Sequence, residues 1–215
     1  MATPTDTLTL LQWLSPAYPI SAYAYSHGLE AAVDADWVKD ADSFDAWLRD
    51  VLTAGSGWSD ALFLAAAYHA DGTKALTRID DLARAFAPSR ERLLETDQQG
   101  AAFCRTIRAV SQPGLGPWVY PVALGAASAQ ESIPLDLTLR SYLQAFAANL
   151  IAAAQRLLPL GQTEGQVMLH ALIPVFDNVA QAAETGDLDE LGSTAFLSDI
   201  ASMKHETQYS RIFRT

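Results

Sequence analysis

Residues 136–183 restrict the possible folds most: an apolar helix, a glycine-marked turn and a second apolar helix follow one another directly. The first part reads DLTLRSYLQAFAANLIAAAQRLL, and Asp136 offers a carboxylate to cap the orphan amides of its first turn. From Leu143 to Leu158 nearly every position is apolar, many of them alanine, so this helix has little solvent face to offer. Pro159 cannot continue the ladder, and Gly161 in the Pro159–Thr163 turn is free to reverse the chain. Gln166–Ala183 then reads as one returning helix. The pattern predicts an all-α, single-domain helical bundle around a central apolar helix at about 137–158.

At 215 residues one domain is expected. A membrane span needs about 18 or more consecutive apolar residues, and Asn149, Gln155 and Arg156 interrupt the best candidate. No charged-then-apolar leader opens the sequence, which predicts a cytoplasmic protein. Apolar residues make up 50% and charged residues only 18%, a shortage of charge that points to surface covered by partners. With 14 basic against 25 acidic residues there is no cation cluster for a phosphate backbone, so nucleic acid is not an expected partner.

Taken in order, the chain predicts helices at Asp6–Leu14, 22–33, Asp42–Ala54, from Ser59-Asp60 to about Ala70, and Thr73–Phe86. Further helices run from Pro88-Ser89 to about Val110, over Trp118–Gln130, and more weakly over Leu188–Lys204. Pro16 and Pro19 keep Ser15–Ser21 extended or turned. Gly28, inside a helical pattern, marks a place where another backbone comes close. Asp42 or Ser43 is the expected cap of the third helix, and Arg92, Thr96 and Gln99 form the more polar stripe of the sixth. No alternating strand pattern and no repeat occurs.

Catalytic signatures are missing: there is no Gly-x-Ser-x-Gly, no phosphate-binding glycine loop, no His-Glu-x-x-His and no Cys-x-x-Cys. Of the four histidines, His69 and His170 fall in apolar helices and read as core residues. His27 and Glu30 are three apart, a helical spacing that suits a surface pair, two metal ligands or an acid and base. Two ligands do not make a metal site, and no cofactor is called for. Asp80-Asp81 and the acidic run 187–190 read as solvated faces, and Cys104 as a small buried hydrophobe. Tyr18, Tyr23 and Tyr25 do not share one stripe, so some must meet solvent or another chain. The closing HETQYSRIFRT combines Tyr209, Ile212 and Phe213 with Arg211 and Arg214. Such a segment either packs on its own domain or is ordered by a partner.

Three stretches resemble the UreF family of urease accessory proteins: LLQWLSPAYPISAYAYSHGLEAAV (10–33), RLLPLGQTEGQ (156–166) and HETQYSRIFRT (205–215). They occur in the family's order and bracket almost the whole chain. The resemblance implies an all-α homodimer without a reaction of its own. It also implies binding to UreD (UreH in some systems) and to the GTPase UreG, with nickel delivered to apo-urease. It marks Tyr25, Ser26, His27, Gly28 and Glu30 as candidates for a dimer or GTPase-facing surface. His205, Glu206, Thr207, Gln208, Tyr209, Ser210, Arg211, Phe213 and Arg214 become candidates for holding UreD, with 205–215 a docking tail. A helical adaptor for unrelated partners is the competing reading. One departure stands out: Ser21-Ala22 replaces a Gly-Gly-like pair, at a cost of roughly 1–2 kcal/mol if that backbone is left-handed.

Overall fold

The computed structural model describes residues 2–215, and among them every regular element is helical. Helix α1 (Pro4–Trp13) starts two residues before the expected Asp6, because Thr3 and Asp6 cap one another reciprocally at 3.1 and 2.7 Å. After Pro16 and Pro19 the sequence pattern predicts one helix, but the chain makes only a 3-10 turn at Ala22–Ala24 and then α2 (Leu29–Asp34). Tyr25–Gly28 between them is not helical, with His27 and Gly28 at φ 55° and 80°. Tertiary bonds outbid the helix here: Asn149 donates to the Ala22 carbonyl at 2.9 Å, and the Ser26 amide donates to the Thr215 oxygen at 2.8 Å. Ser21 is left-handed at φ 58° while Ala22 is not, so the strain of the missing glycine pair rests on Ser21.

Helix α3 (Ala41–Ala54) is capped by Asp40 rather than Asp42 or Ser43; Ser43 is the reciprocal partner three residues on. Helix α4 (Ser56–Tyr68) begins three residues before the expected Ser59, directly on Gly55, which also ends α3. Helix α5 (Thr73–Phe86) matches its predicted span, and α6 (Arg90–Val110) is capped by Ser89 as its sequence indicates. Helix α7 (Tyr120–Gln130) carries Pro121 in its first turn, where the missing amide is harmless. Helix α8 (Leu135–Leu157) is preceded by Pro134, and Asp136 sits inside its first turn instead of at the cap, paired with Arg140. The returning segment is two helices, α9 (Gln162–Ala171) and α10 (Ile173–Ala183). Pro174 cannot donate to the preceding turn, so the ladder breaks and restarts with the proline in a first turn. Only Phe196–His205 of the weak C-terminal pattern forms a long helix, α11; Leu188–Glu190 is a 3-10 turn.

The bundle wraps α8, which meets α2, α3, α4, α7, α9 and α10, but α4 shares the centre. Ala61–Ala67 of α4 are all buried, enclosed by α3, α5, α7, α8 and α10. Helices α4 and α7 touch backbone to backbone: a Cβ on Gly125 would lie 2.2 Å from the Leu64 carbonyl oxygen. A seam of rings crosses the core, from Trp13 through Phe103, Tyr120 and Tyr142 to Phe146, with successive centroids 5.7–6.1 Å apart. It ends on His27, 4.7 Å from Phe146. The apolar layers thus deliver the non-helical 25–28 segment to one end of α6, where the polar side chains collect.

Candidate functional site

Two buried polar networks meet at that end. In the first, Glu95 of α6 is the hub. One of its oxygens accepts from His27 Nε2 at 2.9 Å and from Gln99 Nε2 at 3.1 Å. The other accepts from the Thr215 hydroxyl at 2.9 Å and is in contact with Arg92 Nη1. Arg92 also faces Asp60 of α4 at 3.7 Å, and the Tyr142 hydroxyl donates to Asp60 at 2.7 Å. His27, Arg92 and Glu95 are all buried. Charge that deep survives only when paired and hydrogen-bonded.

The neighbours set the protonation states. Burial opposes ionisation of Glu95, but the Arg92 charge, with the hydrogen bonds from His27 and Arg92, outweighs it and holds the carboxyl down to about 2. Burial, reinforced by Arg92, pushes His27 below its ordinary value. The ring is therefore neutral at pH 7, with the proton on Nε2 facing Glu95 and a lone pair on Nδ1. Burial pushes Asp60 up against the pull of Arg92. Burial also drives Tyr142 well above the usual phenol range.

Over this network lies a groove of about 890 Å³ between α1, the 15–27 segment, α6, α8 and α10. Its floor is His27, Arg92, Glu95 and Gln99; Leu11, Phe146 and Ile173 stand among its apolar walls. Leu11, Tyr23 and Ile173 line it and are exposed.

The second network clasps the tail. Glu30 accepts from the Ile212 and Phe213 amides at 2.6 and 2.8 Å. His205 is enclosed between Glu91, 2.6 Å from Nδ1, and Glu30, 3.3 Å from Nε2. Arg211 adds a second bond to Glu91, and Glu206 accepts from the Arg90 amide at 2.7 Å. Phe213 is buried beneath Arg156, 4.6 Å from the ring centroid, and Ser26 binds the Thr215 oxygen through both amide and hydroxyl.

These contacts redistribute the residues singled out in the sequence. Tyr25, Ser26, His27, Gly28 and Glu30 are interior in the single chain, where they seat the tail and floor the groove. His27 and Glu30 are not a surface pair: His27 lies outside α2 and turns to Glu95, whereas Glu30 turns to His205 and the tail. Within the tail, His205 and Phe213 are buried; Glu206 and Gln208 are half-buried; Thr207, Tyr209, Ser210, Arg211 and Arg214 are exposed. His69 and His170 are exposed instead of core: His69 follows the last residue of α4 as its cap, and His170 lies in the last turn of α9, whose buried positions are Gly165 and Met168. His69 merely meets the Glu184 carbonyl at 2.9 Å. Asp80 is buried rather than solvated, accepting from the Val119 amide at 2.7 Å and pairing with Arg84. Cys104 is buried as expected, and Tyr23 is the outward tyrosine of its set.

Asp60, Arg92, Glu95 and Tyr142 were not legible as a site. Among the described residues no three His, Cys, Asp or Glu side chains converge on a position for a metal ion. None of the described helices is long and apolar enough to cross a membrane.

Acid stability follows from the shifts. The unfolded chain takes up the His27 proton below about 6.5, the ordinary value, before the folded chain can, so this contribution is lost as pH falls through that point. Glu95 ionises in the folded chain well below the ordinary 4.5, so its contribution is present above 4.5 and lost towards 2. Asp60 has the opposite sign and offsets part of this, since the folded chain holds its proton more readily. The melting temperature should fall from pH 7 to pH 5, and less in His27→Asn. Equal falls in both proteins by calorimetry remove His27 from the account.

The family model described as UreF matches residues 38–173. The UreF urease accessory protein of Ruegeria pomeroyi is 52% identical, covering 100% of both chains. That of Roseobacter denitrificans is 51% identical over 97% of this chain and 93% of its own. The Bradyrhizobium relative is 46% identical over 96% and 90%. With the all-α bundle, the 10–33 segment and the docked tail in place, this chain belongs to the UreF family of urease accessory proteins.

Proposed function

We propose that the protein is a non-catalytic scaffold of urease maturation. It forms a homodimer, holds UreD (UreH in some systems), and through that complex recruits the GTPase UreG, so that nickel, the cargo, reaches apo-urease. Nickel is carried by the assembly, and no residue of this chain is assigned to it.

One observation carries the reading: the tail is anchored and displayed at once. Phe213 and Thr215 are buried while Tyr209, between His205 and Phe213, is fully exposed (104%) and Ile212 is 59% exposed. Aromatic side chains beside arginine are the commonest anchors of protein interfaces. Holding them on a pinned backbone removes much of the ordering cost of binding. Such a surface suits a partner protein better than a small substrate.

Tyr209→Ala with Ile212→Ala leaves the buried anchors untouched. Co-expressed with its cognate UreD, this variant should lose about tenfold or more in affinity while its helicity stays normal, as read by light scattering and titration of the recovered complex. An unchanged affinity removes the tail from the interface.

A further inference from the structure

The groove and the tail share one carboxylate. On the groove side, His27 and Gln99 donate to one oxygen of Glu95; on the tail side, Thr215 donates to the other. Arg92 holds the second oxygen as well and, like His27, Gln99 and Glu95, lines the groove. The described hydrogen bonds include none between Thr215 and His27 or Gln99, and Glu95 lies between them. A buried carboxylate has few lone-pair directions and no water to replace a lost donor, so its position reflects all its partners together.

We propose that the groove floor and the seating of the tail are coupled through Glu95, so that a change at either one is felt at the other. The proposal does not rest on which protein engages the tail. His27 and Gln99 fix the carboxylate where the Thr215 hydroxyl can reach it. Thr215 then helps to set the end of a segment whose other holds are Ser26 on the Thr215 oxygen, Glu30 on the Ile212 and Phe213 amides and the Ala24 carbonyl on the Arg214 amide. Apart from Phe213 these holds are hydrogen bonds and ion pairs, so the tail can loosen without opening the core. Coupling of this kind is reciprocal. Whatever fills the groove and draws on His27 or Gln99 must loosen the tail, and whatever draws the tail away must alter the groove floor.

The test is amide hydrogen exchange on the full chain. His27→Asn removes the donor to Glu95 and keeps a residue that tolerates the left-handed backbone; Thr215→Val removes the donor on the other side. The amides of Ile212, Phe213 and Arg214 touch neither His27 nor Glu95. They should exchange about threefold faster or more in each single variant, while Leu64 in α4 is unchanged. In the double variant the acceleration should fall short of the product of the two. Tail amides that keep their wild-type rates in His27→Asn, or effects that multiply in the double variant, overturn the coupling. Should His27→Asn accelerate Leu64 equally, Gln99→Met, which removes the other groove-side donor, decides by the same criterion.

Discussion

Glu95→Ala is expected to lose about 3–5 kcal/mol of stability, the range for breaking a buried ion pair from one side. The reason lies in what the substitution leaves behind. Arg92, His27, Gln99 and Thr215 all contact the Glu95 carboxylate, and Asp60 at 3.7 Å would be the one carboxylate left beside Arg92. Removing one partner of a buried network exposes the full desolvation penalty of the others, which is larger than the net value of the bonds themselves. Urea denaturation should show a lower midpoint at an unchanged slope. Arg92→Met with Glu95→Met removes the stranded guanidinium and should recover part of the loss, the remainder reflecting His27, Gln99 and Thr215, whose acceptor is still gone, and Asp60, which loses its cation. A single variant within 1 kcal/mol of wild type would mean that water reaches this network freely.

The helical layers were legible because their signals are local. The apolar run of α8, the amphipathic pattern of α3 and the proline and glycine stops depend on neighbours within a turn or two. What escaped was local pattern overruled by distant contacts. The segment 22–33 has helical composition, yet Asn149 and Thr215, far along the chain, take the hydrogen-bonding groups that a helix would use. The split between α9 and α10 was in reach, since Pro174 is plain in the sequence. The polar stripe of α6 is the instructive case. Arg92, Thr96 and Gln99 are polar by chemical type, but their spacing continues into Phe103 and Ile107, which are core residues. One face cannot be solvent at one end and core at the other unless the helix leaves the bundle, and α6 does not. That continuity was the available sign that a charged cluster is buried there. No local rule supplies its partners His27, Asp60 and Thr215, which only the fold brings together.

Gly28→Ala is the second large effect, and it acts where the two networks are joined. Gly28 is at φ 80°, a conformation that costs an alanine about 1–2 kcal/mol. A Cβ there would also stand 2.6 Å from the Ser202 amide nitrogen and 2.9 Å from its Cα. Both atoms belong to the backbone of α11, so no side chain can rotate out of the way. Overpacking of this kind adds about 1–3 kcal/mol. Relief requires α11 to lift from α2, and α11 ends at His205, the residue held between Glu30 and Glu91. The tail follows α11, so the substitution should lower the melting temperature by several degrees and free the Ile212 and Phe213 amides, while exchange in α4 changes far less. Retention of the wild-type melting temperature would show that α11 is loosely seated on Gly28. A fall in stability with tail protection intact would separate α11 from the clasp, and the two networks would then have to be treated as independent.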